Sequence, residues 1–189
     1  MRIAIVTDYY YPQLGGITEH VHGQATQLAA RGHEVTVVTG SIFRPPPVSG
    51  DDDGLPPTDA GGFEVVRMGH QLRLYGNASQ TLHRLFQRRK IDVVHVHAPY
   101  NPVLPMLAVL ATPADAVAVG TYHSVFAPGP LLDTFSRLMR LALDRIDGHI
   151  VVSEACIGSL SRYFPYRYDV IPNGIDDRHF SPDADPIPE

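Results

Sequence analysis

The chain opens Met1-Arg2-Ile3-Ala4-Ile5-Val6-Thr7-Asp8-Tyr9-Tyr10-Tyr11-Pro12-Gln13-Leu14-Gly15-Gly16-Ile17, and this stretch decides the fold. Residues 2–7 are an apolar run of strand length, suited to burial on both faces of a parallel sheet. Beyond them Ile17, Val21, Ala25, Leu28 and Ala29 share one helical stripe. The stripe stops at Arg31-Gly32-His33, where Gly32 fits a left-handed C-terminal cap. Gly15 and Gly16 therefore stand where a strand hands over to a helix. The first N–H groups of a helix lack partners, the dipole is positive there, and glycine lets an anion come close. The pair predicts contact with a phosphorylated ligand; an ordinary tight turn into the helix is the plainer alternative. It is not a dinucleotide fingerprint, because no G-x-G-x-x-G follows the first strand.

Working outward, strands are expected at Arg2–Thr7, Glu34–Thr39, Phe63–Met68, Val93–His97, Ala116–Thr121, His149–Val152 and Tyr168–Ile171. Helices are expected near Ile17–Arg31, Ser79–Lys90, Val103–Ala111, Leu131–Asp147 and Glu154–Tyr163, the last with Ser153 as its N-cap. Strand–helix alternation with short turns predicts an α/β, Rossmann-like, doubly wound and mostly parallel sheet of about seven strands. One segment breaks the rhythm. Residues 41–62 hold Pro45-Pro46-Pro47, Asp51-Asp52-Asp53 and Gly61-Gly62, a composition that buries little and reads as a flexible excursion. Residues 1–180 are thus one domain, and the proline-rich 181–189 reads as a linker.

Composition excludes several classes. A net charge of −5 over 189 residues argues against nucleic acid. The single cysteine, Cys156, rules out an intrachain disulfide framework and reads as an inert buried thiol. No secretory signal is visible, and no apolar run reaches the ~18 residues of a membrane span. A cytoplasmic domain is expected.

In a doubly wound sheet, ligands bind beyond the carboxyl ends of the strands. The loops there carry Asp8, Tyr9 and the glycines; then His97 and Tyr100; then His123 and Ser124; then Asn173-Gly174, a turn. If the strand order is the usual one, the first, fourth and fifth strands are neighbours and their loops line one crevice. His95 and His97 project to one face of their strand. With His123 they suggest a zinc site, but histidines hydrogen-bonded within the sheet are the simpler reading of an otherwise apolar strand.

These residues carry a resemblance. Gly15-Gly16 with His20 and Val21, Arg31-Gly32-His33-Glu34-Val35, Asp92-Val93-Val94-His95-Val96-His97, Gly120-Thr121-Tyr122-His123, Val151-Val152-Ser153-Glu154 and Ile171-Pro172-Asn173-Gly174-Ile175-Asp176 with Phe180 and Pro182 follow in order. The set resembles the N-terminal domain of GT-B, family 4-like retaining glycosyltransferases, and is most similar to bacterial phosphatidylinositol mannosyltransferase-type enzymes. The resemblance implies transfer of a sugar, a hexose by its nearest likeness, from a nucleotide-diphosphate donor to a hydroxyl acceptor with retention. It implies that Gly15 and Gly16 meet the donor phosphates and that His123 is the active-site histidine, orienting the transferred sugar. It implies that Tyr9 and Thr18 stand near the acceptor, where the crevice reading adds Tyr100 and Ser124. No metal or other cofactor is required, although a diphosphate can recruit Mg²⁺.

The chain also departs from that pattern. The family's second domain carries an E-x₇-E signature, and here no two of Glu19, Glu34, Glu64, Glu154 and Glu189 are eight apart. The expected partner is a C-terminal GT-B domain, in cis or in trans, without which the chain should be inactive. In membrane-associated relatives a basic amphipathic helix of the first domain docks on anionic lipid. Here Arg84, Arg88, Arg89 and Lys90 first read as complementing the helix dipole while Leu82, Leu85 and Phe86 face the core; peripheral contact with the inner face of the membrane stays open. A competing class is a noncatalytic module that binds an acceptor or a second protein. An epimerase of nucleotide sugars is disfavoured: the glycine fingerprint is missing, and the sole lysine, Lys90, has Phe86 four residues before it where Y-x-x-x-K needs tyrosine.

Overall fold

The structure, a computed structural model, describes residues 1–40, 62–68, 75–101, 104–125 and 129–175, with backbone only at 75–78 and 131. Residues 41–61 of the excursion expected at 41–62, the helix start at Val103 and the segment from Asp176 through the linker lie outside the described residues.

Seven strands form one all-parallel sheet in the order β3-β2-β1-β4-β5-β6-β7. They are β1 (Arg2–Thr7), β2 (Glu34–Thr39), β3 (Glu64–Arg67), β4 (Val93–His97), β5 (Val117–Tyr122), β6 (Gly148–Val151) and β7 (Tyr168–Val170). The helices are α1 (Gly16–Ala30), α2 (Tyr75–Arg88), α3 (Leu104–Ala111), α4 (Pro130–Leu143) and α5 (Glu154–Leu160). β1 pairs with β2 on one side and β4 on the other, and β4 pairs with β5, so the loops after β1, β4 and β5 are neighbours as expected.

The sheet is buried on both faces because its strands alternate between two cores. Ile3 and Ile5 of β1 pack with Val35 and Val37 beneath Val21 and Ala25 of α1. Ala4 and Val6 turn the other way, into a larger core with Val94, Val96, Leu82, Phe86, Leu104, Leu143 and Leu160. Leu82 and Phe86 are fully buried, which places the apolar face of α2 against the sheet.

The helix ends differ from the sequence expectation for local reasons. At α1 the Gly32 cap is as expected: Gly32 has φ 83° and its amide and that of His33 close back on Ala29 and Leu28. α2 starts earlier than Ser79 and stops at Arg88, because Lys90 takes φ 48° and the Ile91 amide folds back onto Phe86 O. α4 does not run to Asp147. The amide of Asp147 donates to Ala118 O and its carboxylate accepts from the Ala118 amide, which pins it to β5. Ser153 occupies the N-cap position of α5 but its hydroxyl makes no cap bond; it lies 3.5 Å from Cys156 Sγ. Cys156 is buried, as expected.

Candidate functional site

The site lies at the carboxyl ends of β1, β4 and β5, under the first turns of α1. Gly15 is the N-cap, extended at φ 169°, and the first helical bond runs from the Glu19 amide to Gly15 O. The amides of Gly15 and Gly16 donate to no acceptor among the described residues. A Cβ added at either glycine would meet nothing within 4 Å. Neither packing nor backbone conformation therefore requires glycine here, and the space beside both Cα atoms is open. Thr18 is buried, and its hydroxyl donates to Gln13 O at 2.8 Å, bracing the loop.

β4 explains the chemistry beneath that loop. Val94 and Val96 enter the larger core, so His95 and His97 emerge on the α1 face, stacked with ring centroids 4.6 Å apart. His123, one residue beyond β5, stacks on His97 at 5.1 Å. His20, on the first full turn of α1, meets His97 and His123 edge-on at 5.6 and 5.5 Å. The glycine loop and His123 are thus tied together through one helical turn.

The imidazole nitrogens are linked in series. His95 Nε2 lies 2.7 Å from Thr121 Oγ1, and His95 Nδ1 lies 3.3 Å from Gln24 Nε2. Gln24 Oε1 lies 3.0 Å from His97 Nε2, and His97 Nδ1 lies 2.9 Å from His123 Nε2. His123 Nδ1 ends the chain, buried and without a partner. Burial drives the pKa of His95 and of His123 down to about 4 and that of His97 well below the usual imidazole value, with mutual repulsion adding to it. All three are neutral at physiological pH. Their nitrogens face one another, Gln24 and Thr121, and among the described residues no group of three or more His, Cys, Asp or Glu is placed to hold a metal ion.

The acceptor-side candidates fall together on the neighbouring loops. Tyr9 is half-buried, its amide bonded to Thr7 Oγ1 at 3.0 Å. Burial raises the pKa of the Tyr100 phenol, Tyr9 pushes it the same way, and a hydrogen bond with Ser124 opposes the shift. Tyr9, Tyr100 and Ser124 therefore share one electrostatic neighbourhood.

Sequence reasoning assigned no role to Asp8 or Gln24 and did not place His20 beside His97 and His123. Asp8 is buried and neither carboxylate oxygen reaches hydrogen-bond geometry with a partner. Desolvation lifts its pKa to about 6, opposed only by the nearby Leu104 amide at the start of α3. A signal for Gln24 existed. His20 and Gln24 stand four apart along the margin of the apolar stripe of α1, where polar side chains must find partners on the sheet.

The sequence profile of Glycosyltransferase Family 4 matches residues 14–179. The chain is 28% identical over 184 residues to a phosphatidyl-myo-inositol mannosyltransferase of Mycolicibacterium smegmatis, covering 96% of this chain and 46% of that protein. It is 23% identical over 198 residues to a human phosphatidylinositol N-acetylglucosaminyltransferase polypeptide, covering 96% and 38%. The fold matches a glycosyltransferase structure from Rickettsia africae with a TM-score of 0.67 at 18% identity, over 98% of this chain and 46% of that one. It also matches the lipopolysaccharide outer core galactosyltransferase WaaB, with a TM-score of 0.60 at 12% identity, over 93% and 46%. The chain spans about half the length, or less, of these relatives. The profile covers most of the chain, and the parallel sheet, glycine loop and motif order agree with it: the chain belongs to Glycosyltransferase Family 4.

Proposed function

We propose that this chain is the acceptor-side half of a retaining glycosyltransferase, which passes a sugar from a nucleotide-diphosphate donor to a hydroxyl and needs a donor-binding second domain to turn over. The observation that carries the reading is the pair of unpartnered amides at Gly15 and Gly16, with open space about both Cα atoms and one helical turn before His20, whose ring meets His123. As the glycosidic bond breaks, charge develops on the departing diphosphate, and preorganised N–H groups at a helix N-terminus stabilise it. His123 is too weak a base at neutral pH to take a proton readily; it orients the sugar by hydrogen bonding. Tyr9, Tyr100 and Ser124 face the acceptor, while Thr18 holds the loop. Closure of the second domain would exclude water. Mg²⁺, where it participates, accompanies the diphosphate.

The acceptor class follows the relatives. Their names share phosphatidylinositol while differing in the sugar, which favours an inositol lipid and peripheral contact with a membrane. No described helix is long and apolar enough to cross one.

The test is titration of the ¹⁵N-labelled chain with pyrophosphate and with a nucleoside diphosphate. Amide shifts should concentrate at residues 15–18. The Gly16→Ala variant should fold normally, since its Cβ meets nothing. It should bind about tenfold more weakly, a loss of ~1.4 kcal/mol. Unmoved amides in the parent chain, or equal affinity in the variant, would overturn the reading.

A further inference from the structure

We infer that Gln24 is a positioning residue that sets the tautomer of His123 through His97, leaving a lone pair rather than a proton on His123 Nδ1. The inference deepens the transferase reading and rests on it only for the part His123 plays.

The four groups share hydrogen bonds end to end, so one choice fixes all the others. With the Gln24 amide nitrogen toward His95 and its oxygen toward His97, Gln24 donates to His95 Nδ1. His95 must then carry its proton on Nε2, from which it donates to Thr121 Oγ1. The Gln24 oxygen can only accept, so His97 carries its proton on Nε2 and presents a bare Nδ1. His123 donates from Nε2 to that nitrogen, and its own Nδ1 is left as a lone pair. The reversed amide would reverse every link and leave an N–H on His123 Nδ1, buried with no acceptor. An orphaned buried N–H is costlier and rarer than an under-used acceptor. The observed direction is therefore the stable one, and it is set from α1, at a residue with no hydrogen bond to His123 among the described residues.

This device suits a neutral imidazole. Burial keeps these rings unprotonated, so charge does not order their protons. The order has to come from a group whose donor and acceptor ends differ, and in this chain of contacts the primary amide of Gln24 supplies it.

The test uses the 189-residue chain with ¹⁵N-labelled histidine, read at about pH 8 by two-bond proton–nitrogen correlation, with His123→Asn assigning the signal. The parent should show His123 and His95 as single Nε2–H tautomers. Gln24→Met, similar in volume without the amide, should replace the single His123 state with a mixture. Gln24→Glu accepts from both neighbours: it should hold His123 as Nε2–H while switching His95 to Nδ1–H. Circular dichroism checks that each variant is folded, and the parent and Glu measurements decide the matter if the Met variant is not. An Nδ1–H His123 in the parent, a uniform His123 in folded Gln24→Met, or an unswitched His95 in Gln24→Glu would overturn the inference. None of these readouts involves a diphosphate, so failure of the transferase reading would leave them intact, and the reverse holds too.

Discussion

At the scale of single residues, Asp8 has the least comfortable environment in the site. Its oxygens are buried without hydrogen-bond partners among the described residues, and the folded protein favours the protonated acid, with a pKa of about 6. An unfolded aspartate titrates near 3.8. The sign follows from linkage: the folded state is favoured below about pH 4, and the benefit is lost as pH rises through 6. At neutral pH the cost approaches ~3 kcal/mol. Asp8→Asn removes the charge at similar size. It should raise urea stability relative to the parent at about pH 7.5, by at most ~3 kcal/mol, and the difference should vanish near pH 4. Paired denaturation curves at the two pH values check this, and an equal gain at both would refute it.

At the scale of elements, two glycines with the same letter have opposite roles. Gly16 opens α1 into empty space. Gly120 lies inside β5, and an added Cβ would come within 3.0 Å of Ile146 Cδ1 and 3.2 Å of Pro99 Cγ. The loop after β4 and the turn after α4 both close onto that spot. Gly120→Ala should therefore destabilise the domain by ~1–2 kcal/mol, read from denaturant midpoints, whereas Gly16→Ala should not. Parent-like stability in Gly120→Ala would show that the neighbours yield freely. The strands were legible because parallel strands covered on both faces are written as short apolar runs, and the adjacency of β1, β4 and β5 followed from the usual order of a doubly wound sheet. The helix ends were less legible. α4 stops where Asp147 is captured by β5, and α2 stops where Lys90 turns left-handed. Neither event has a local signature in composition.

At the scale of the whole molecule, pH acts chiefly through the imidazole layer between α1 and β4. His20, His95, His97 and His123 all hold pKa values below the ordinary 6.5, because burial opposes their charging and they repel one another. The unfolded chain takes up protons that the folded one refuses. The stability these histidines contribute is complete above about pH 6.5 and falls as pH drops toward 4. Asp8 works the other way across part of that window, but it is one group against these four and against His22 and His149, whose pKa values burial also lowers. The ion pairs Arg2–Asp92 and Arg89–Glu64 hold their carboxyls below the usual range, so their loss comes at lower pH still. Urea midpoints should fall between about pH 6.5 and about 4.5, and His97→Gln should flatten that slope. A flat profile in the parent would contradict the burial of the cluster. The sequence put Gly15, Gly16 and His123 in neighbouring loops, because the carboxyl edge of a doubly wound sheet gathers them. Asp8 was placed at the crevice without a role and Gln24 went unread, because what each does depends on which side chain it meets, or fails to meet, in the folded protein.

Cys156 is the sole thiol of the chain and is 2% exposed, whereas Leu14, next to the glycine pair, is 78% exposed. A fluorophore attached by maleimide to Leu14→Cys would therefore modify that position alone in the folded protein. The same molecule would then carry two clocks: the colour of the dye would follow anything arriving at the loop, and slow alkylation of the native sulfur would time the opening of the core around α5.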